Sequence, residues 1–550
     1  MGLDKRMKKR IQQIDKNLDA IVKNPYEKEH IIEKKESRFP LWAKWAIPFG
    51  SVALACSLTL AIVLPTANRN NAVGPMEEGS AAAVTNPKEN GGSHNHEPMG
   101  EDDSEGKGLA QGSTDTITST PTAPHVDYNM LAPSTVNKYS DTPNNTMSQT
   151  TYDSYTAFAK KFASLMMQIG NANGEKSLGV SIPDAYLCFA ISGIISDQAS
   201  CNDILAYLEL DSVDELKAAS REIVSTLGTL SKMSGNSNKY LGGYNLNSIW
   251  LDPDLISLRE GDDKDQELYD DLASIYDVSL INEAFDEDKA NQYLKDYGPN
   301  GMPSPEIELD GDSPALAVMS AFYYLDLLRE TDLYELQYQR GNHLMNYTFG
   351  GTTKSVDYLL YNGLSSQYLE GNGFHAASVD MNQGSVYFYL PDSETAMPST
   401  ILQDVLNENY TPVTVTTESG YQRSWYPVDV EAPYFKMDNK IELKGQPLLN
   451  ILPHITLDGM GSRLVSDSLF LTAIYQFSTM SFDYRGFYSA SVTISRGDAS
   501  AGGGPEFTLT VDHPFVFETR KTITIGTNHL TIPVVIGEVV DPAYPAYQAS

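Results

Sequence analysis

The sequence predicts an α+β domain that follows one membrane-spanning helix and a long disordered linker. The first supporting observation is the uncharged run WAIPFGSVALACSLTLAIVL at 45–64. The second is a series of helical stripes after Tyr152, in which apolar residues recur every three or four positions. The third is period-two alternation beyond about residue 314, which is typical of strands. Helices followed by strands indicate the α+β class.

The run at 45–64 predicts a single transmembrane helix. At about 1.5 Å per residue it covers ~30 Å, the thickness of a bilayer core. Residues 1–40 hold eleven Lys and Arg against seven Asp and Glu, whereas residues 66–150 hold four against eleven. The more basic flank of a membrane-spanning helix normally lies in the cytoplasm. We therefore expect a single-pass protein of the cell membrane, with residues 1–44 cytoplasmic and the C-terminal domain extracellular.

The segments on either side of this helix differ in composition. Residues 5–23 carry one apolar stripe among basic residues, which predicts a short amphipathic helix. It would bind a cytoplasmic helix partner, lie on anionic lipid, or only orient the protein. Residues 65–150 are rich in Ser, Thr, Asn, Pro and Gly, so we predict a disordered linker. The folded domain is expected at 151–545.

Within that domain, periodicity places the individual elements. Apolar stripes predict helices at 155–169, 183–195, 212–227, 268–275 and 290–297. The third of these begins with a capping box formed by Ser212 and Glu215. Strands are predicted at 315–328, 385–390, 434–443, 507–517 and 530–540.

Charge, cysteine content and motifs limit the function classes. The net charge of −33 argues against a nucleic-acid partner, because phosphate binding needs clustered Lys and Arg. Cys188 and Cys201 either form a disulfide or stay free. The acidic run at 262–267 lacks the spacing of a calcium loop and indicates a helix start. Since no hydrolase, metalloprotease or P-loop motif occurs, we expect no catalytic residues, no cofactor and no metal site.

Two motifs near the C-terminus carry a family resemblance. LTVDHPFVF at 509–517 contains Asp512, His513, Pro514 and Phe515, and IGEVVDP follows at 536–542. Together they resemble the signature that closes serpins, the family of serine protease inhibitors. Segments at 246–251, 319–324, 386–391 and 433–443 are similar to serpin strands in the same order. The resemblance covers about residues 152–542 and implies helices, eight or nine in number, packed on three β-sheets.

The resemblance also implies a mechanism. A serine protease attacks an exposed reactive loop and forms an acyl-enzyme, and the cut loop then inserts into the large sheet as a new strand. We predict this loop and its hinge between a strand at 492–494 and the strand that begins at Phe507. The loop residues are then Ser495, Arg496, Gly497, Asp498, Ala499, Ser500, Ala501, Gly502, Gly503, Gly504, Pro505 and Glu506.

These twelve residues are mostly small, which suits a hinge, but they span at most ~40 Å. That is shorter than the resemblance implies. Two functions stay open. One is a membrane-tethered inhibitor of an extracellular serine protease. The other is a serpin-like binding or sensing domain that no longer inhibits and is linked to the cytoplasmic tail.

Overall fold

Helices dominate the first part of the ordered domain. The computed structural model describes residues 128–174, 177–232, 240–299, 302, 304–309, 313–328, 344–416, 420–483, 486–488 and 507–542. The eight described helices are α1 (Gln149–Ala172), α2 (Ile182–Ile194), α3 (Gln198–Leu208), α4 (Val213–Leu227), α5 (Gln266–Ser274), α6 (Glu287–Tyr297), α7 (Leu402–Leu406) and α8 (Gln446–Ile451). Five of them, α1, α2, α4, α5 and α6, confirm predicted helices, whereas α3 has no predicted counterpart.

Side-chain caps explain where two of these helices begin. The Ser212 hydroxyl accepts a hydrogen bond from the backbone N–H of Glu215 at 3.2 Å and caps α4. The Asp265 carboxylate accepts one from the N–H of Leu268 at 3.0 Å and caps α5. The acidic run is therefore a helix start, as predicted.

Strands make up most of the remainder. They are β1 (Met130–Ala132), β2 (Tyr139–Ser140), β3 (Leu178–Ser181), β4 (Leu230–Lys232), β5 (Tyr240–Leu251), β6 (Val278–Ile281), β7 (Leu316–Leu327), β8 (Leu344–Phe349), β9 (Thr352–Ser366), β10 (Tyr368–Gly371), β11 (Phe374–Asp380), β12 (Gly384–Pro391), β13 (Tyr410–Pro412), β14 (Val415–Thr416), β15 (Gln422–Arg423), β16 (Tyr426–Pro433), β17 (Phe435–Lys444), β18 (Ala473–Asp483), β19 (Gly486–Tyr488), β20 (Phe507–Thr510), β21 (Phe515–Ile525) and β22 (Asn528–Val539). The single strand predicted at 507–517 is two strands, because the chain leaves the ladder between β20 and β21.

Three sheets hold nearly all of these strands, as the family resemblance implies. The large sheet has the order β1-β6-β5-β7-β19-β18-β17, with β4 beside β5 and β2 beside β4. The second sheet has the order β13-β10-β11-β12-β21-β22-β3, and the third has the order β20-β16-β9-β8. The strands β14 and β15 form a separate two-stranded ladder.

The core lies where the large sheet meets the second sheet. Helix α2 is buried on almost every side and contacts β7 and β22. Phe435 of β17 packs against Phe517 of β21, with 4.9 Å between ring centroids. Phe388 of β12 packs against Phe482 of β18 at 5.2 Å. These contacts join β17 and β18 firmly to the second sheet.

The ordered domain begins earlier than predicted. Residues 128–148 fall in the predicted linker, yet they carry β1 and β2 and the cap of α1. Tyr128, Met130 and Tyr139 are partly buried against the core, and this burial orders a segment whose composition indicates disorder. The linker prediction is therefore wrong for this part of the chain.

Several predictions concern the rest of the chain. The tail 1–44, the transmembrane run 45–64 and the linker 65–127 lie outside the described residues. Among the helices that are described, none is long and apolar enough to cross a membrane. Cys188 and Cys201 are described, and both are free thiols, so the disulfide alternative is wrong.

Candidate functional site

The candidate site centres on a short strand inside the large sheet. After β18 ends at Asp483 the chain reverses, and β19 runs antiparallel to β18. On its other side β19 is antiparallel to β7, with Gly486 opposite Leu327 and Tyr488 opposite Leu325. Among the described residues β7 and β18 do not pair with each other. The short strand β19 is therefore inserted between these two strands.

This geometry corrects where the loop begins. The sequence predicts a strand at 492–494, which lies outside the described residues, and a loop of twelve residues after it. The strand that pairs with β17 ends earlier, at Asp483. The connection to Phe507 thus covers the 23 residues from 484 to 506. The end of β18 is set by its pairing with β17.

Gly486 lies where β19 first approaches β7. Its φ is +144°, a conformation that L side chains rarely adopt. A Cβ at this position would lie 2.4 Å from the carbonyl oxygen of Asp326 and 2.8 Å from the Cα of Leu327. Because both atoms belong to the β7 backbone, only glycine allows β19 to pack this closely.

We expect Gly486→Ala to displace β19 and to cost about 2–4 kcal/mol of unfolding free energy. Urea denaturation would measure the loss, and limited proteolysis would detect the exposed segment. Gly373→Ala is the matched control, because Gly373 has a φ of +78° but nothing within 4 Å of an added Cβ. That control should cost only about 1–2 kcal/mol. Equal losses, with no new cleavage, would contradict the close approach.

Phe487 anchors β19 in the core. Its side chain is 1 % exposed, and its ring centroid lies 5.9 Å from that of Phe517 in β21. Burial of a phenylalanine contributes roughly 2–3 kcal/mol. The resemblance implies a hinge made of small, unbranched residues. The buried ring of Phe487 instead favours a loop whose first residues stay in the sheet.

A buried carboxyl lies on β7 opposite Phe487. Asp326 accepts hydrogen bonds from the backbone N–H of Gln383 at 3.0 and 3.1 Å and from the hydroxyl of Tyr324 at 3.3 Å. Burial raises the pKa of the Asp326 carboxyl to about 7. The Lys521 ammonium interacts electrostatically with this carboxyl, and burial lowers the pKa of Lys521 to about 8. Since Gln383 belongs to the turn between β11 and β12, these bonds fasten the end of β7 to the second sheet.

The far end of the connection is held in the third sheet. There β20 pairs in parallel with β16, and Phe507 lies opposite Val428. The Phe507 ring stacks on Tyr368 at 4.9 Å and packs against Tyr426 at 5.2 Å between centroids. Both ends of the 23-residue connection are thus fixed by aromatic contacts.

The predicted signature runs from the connection after β20 to the first residue of β21. It comprises Asp512, His513, Pro514 and Phe515. His513 is buried, and its Nε2 donates to the carbonyl of Pro391 at 2.7 Å, while its Nδ1 lies 2.7 Å from the Asp512 carboxylate. Phe515 is fully buried beside Phe435, at 5.9 Å between centroids. These residues join the third sheet to the second, which is a packing role.

Comparisons with known proteins agree with this arrangement. The chain is 24 % identical over 375 residues to Serpin-Z1 of Arabidopsis thaliana, covering 62 % of this chain and 82 % of that protein. Tengpin, a thermophilic serpin solved in its native state, matches with a TM-score of 0.52 and 16 % identity over 74 % of this chain and 97 % of its own. Arabidopsis AtSerpin1, in its native stressed conformation, matches with a TM-score of 0.51 and 19 % identity. The match covers 71 % of this chain and 98 % of AtSerpin1. The domain has the serpin fold. No protein-family model matches the sequence.

In this serpin-fold domain, the residues predicted to form the reactive loop and hinge, 495–506, lie outside the described residues, and their role stays a prediction. Gly486 and Phe487 are the site residues that the sequence analysis missed. One local signal was present, since Asp483 followed three positions later by Gly486 is a common turn pattern.

Proposed function

We propose that this chain is a membrane-tethered, extracellular inhibitor of serine proteases that acts by the serpin mechanism. The position of β19 is the observation that supports this most. A strand that is antiparallel to both β7 and β18 occupies the place that an inserted reactive loop would take. The remainder of the connection would follow it into the sheet after cleavage.

The length of the connection supports the same proposal. Its 23 residues reach at most ~75 Å when extended, whereas the twelve residues of β7 cover ~40 Å. The connection can therefore display a segment to a protease and, once cut, fill the sheet along all of β7. We therefore propose that the length of the connection does not prevent inhibition.

The chemistry takes place on the connection and in the protease. The protease serine attacks a carbonyl of the connection, forms an ester and releases the downstream amine. The freed strand then gains ladder hydrogen bonds on both sides as it enters the sheet. An inhibitor of this kind needs no catalytic group of its own, so we propose no enzymatic activity.

The membrane tether rests on sequence alone. The uncharged run at 45–64 and the basic residues before it support a cytoplasmic N-terminus and an inhibitor displayed at the cell surface. Residues 5–23 would then be available to a cytoplasmic helix partner. Protease shaving of intact cells tests this orientation, because it should release the domain and leave the tail protected.

One observation favours a second function, a non-inhibitory binding or sensing domain. In the uncleaved chain Phe487 is already buried between β7 and β18. If this ring holds the connection in the sheet permanently, no segment is displayed to a protease. The domain would then act through its surface and its link to the cytoplasmic tail.

The two functions differ in a direct assay. The full chain is incubated with serine proteases of trypsin-like, chymotrypsin-like and elastase-like specificity and analysed on denaturing gels. Inhibition predicts a covalent complex that survives SDS, and the same protease with its serine blocked is the control. If every active protease leaves the chain intact or only cuts it, the second function is favoured.

A melting experiment tests insertion separately. The connection is nicked within 495–506, and thermal unfolding is followed before and after cleavage. Insertion of a full strand should raise the melting temperature by more than about 10 °C, since each ladder hydrogen bond gained contributes about 1 kcal/mol and each kcal/mol shifts the melting temperature by roughly 1 °C in a domain of about 400 residues. An unchanged melting temperature would count against the serpin mechanism.

A further inference from the structure

Two ionisable side chains are fully buried under the end of β7. Asp326 of β7 is 0 % exposed, and Lys521 of β21 is 1 % exposed. The Lys521 ammonium donates to the carbonyl of Thr226 in α4 at 2.8 Å. Buried charged groups are costly unless they are paired, and they often have a role in function. The inhibitory mechanism proposed above uses neither of them.

The groups that face the Asp326 carboxyl come from four elements. The turn between β11 and β12 supplies the backbone N–H of Gln383, at 3.0 and 3.1 Å, and β7 supplies the Tyr324 hydroxyl, at 3.3 Å. From β21, the charge of Lys521 acts on the carboxyl. From α1, the Tyr155 hydroxyl interacts electrostatically with Tyr324. Polar protein groups therefore replace water on these sides.

The strand β19 covers the remaining side. Phe487 lies directly opposite Asp326 in the ladder, and opposite residues project to the same face with ~4.5–5.5 Å between Cβ atoms. This face looks towards the second sheet, because the Phe487 ring packs on Phe517. Asp483 pairs with Gly486, so its side chain projects to the other face. Among the described residues, no other strand lies at this edge of β7.

Release of β19 would admit water to Asp326 and leave Lys521 covered. Phe487 packs on Phe517, which lies four residues, or ~13 Å, along β21 from Lys521. The hydrogen bond from Lys521 to α4 does not involve β19. The ionisation of Asp326 is therefore coupled to the position of β19, whereas that of Lys521 is not.

The sign of this coupling follows from the burial of the carboxyl. With β19 in place, burial raises the pKa of Asp326 to about 7. Once β19 leaves, the hydrated carboxyl returns towards the ordinary pKa of about 4. The inserted state thus binds the proton more tightly. Retention of β19 is strongest below about pH 4 and weakens as the pH rises through about 7.

We propose that Asp326 is a proton-controlled latch, whose protonated carboxyl retains β19 in the large sheet and whose ionisation releases it. The connection would then be displayed from residue 484 onwards more often at neutral pH than in acid. The consequence for inhibition rests on the proposed function, whereas the retention of β19 does not.

Hydrogen exchange tests the latch in the full chain without any protease. Protection factors of the β19 amides are measured at pH 5.5 and pH 7.5, because a protection factor divides out the intrinsic pH dependence of exchange. Protection should be about fourfold lower at pH 7.5, as expected for one group that titrates near pH 7. The pKa of Lys521 is about 8, so its ammonium is mostly charged at both values.

Two variants separate the latch from a purely structural role. Asp326→Asn cannot ionise, so its β19 should be equally protected at both pH values. Asp438→Asn is the matched control, since Asp438 is an exposed residue of β17 in the same sheet, and it should keep the fourfold change. Tyr324→Phe removes a hydrogen bond that stabilises the ionised carboxyl. It should raise the midpoint of the transition by roughly half a pH unit, which tests the latch even if Asp326→Asn does not fold.

Three results would overturn the latch. One is equal protection of β19 at both pH values in the wild type. Another is a fourfold change that persists in Asp326→Asn. The third is an equal loss of protection in β17, because unfolding of the domain would then carry the pH dependence. Since exchange needs no target protease, each of these is distinct from a failure to form an SDS-stable complex.

Discussion

Replacing Phe487 with alanine is expected to lower the free energy of unfolding by about 3 kcal/mol and to release β19 from the large sheet. The side chain is 1 % exposed and packs on Phe517, so truncation removes buried apolar surface and leaves a cavity beside β21. Urea denaturation measures the loss. Limited proteolysis should show new cleavage beyond Asp483, because the freed segment becomes accessible.

Phe470→Ala is the matched control for this prediction. Phe470 is 36 % exposed, so the same truncation there should cost less than about 1 kcal/mol and should leave the cleavage pattern unchanged. If Phe487→Ala is no more destabilising than this control, the ring does not hold β19 in place.

The same variant separates the two proposed functions. If the chain is an inhibitor whose loop is partly retained in the sheet, releasing Phe487 should speed the formation of the SDS-stable complex. If instead the Phe487 ring holds β19 in the large sheet permanently, the wild type should form no SDS-stable complex. Phe487→Ala should then form one. A variant that is destabilised and cleaved but never forms a complex favours the binding or sensing domain.

Elements with strong local periodicity could be predicted from the sequence. The stripe that contains Tyr155, Phe158 and Phe162 became α1, with all three side chains buried. The Ser212 cap likewise marks the start of α4. Helix α3 was harder to identify, because Cys201, Ile204 and Leu208 make a shorter stripe.

The turn from Asp483 to Gly486 has a local signal, but the insertion of β19 beside β7 has none. It depends on which strands Gly486 and Phe487 meet, and those partners lie about 160 residues earlier in β7. The ordering of residues 128–148 has the same cause, since Tyr128 is ordered by Trp250 and Tyr293 and not by its neighbours in sequence. A polar composition like that of residues 128–148 indicates disorder when the segment packs on nothing. Composition carries no information about a packing surface that distant residues form.

Glu538→Gln is expected to stabilise the domain at pH 8 and to have little effect at pH 5. Glu538 lies in β22 between β3 and β21 and is 1 % exposed. One carboxylate oxygen accepts a hydrogen bond from the Asn171 amide at 3.2 Å, and the other has no partner in the structure. Burial therefore raises the pKa of Glu538 from 4.5 to about 7.

The sign of the effect follows from this raised pKa. The folded state binds the proton more tightly than the unfolded state, so the stabilisation by protonation is complete below about pH 4.5 and is lost as the pH rises through about 7. A difference of about 2.5 pKa units corresponds to roughly 3 kcal/mol. Glutamine stays neutral at every pH, so the variant avoids this loss.

Urea denaturation of wild type and Glu538→Gln at pH 5 and pH 8 checks the prediction. The difference in unfolding free energy between the two proteins should grow with pH, by up to roughly 3 kcal/mol. Glu394→Gln is the control, because Glu394 is exposed and its substitution should give the same small difference at both values. If the two proteins differ equally at pH 5 and pH 8, Glu538 is ionised throughout. Its buried, unpartnered oxygen would then have to be stabilised by contacts other than protonation.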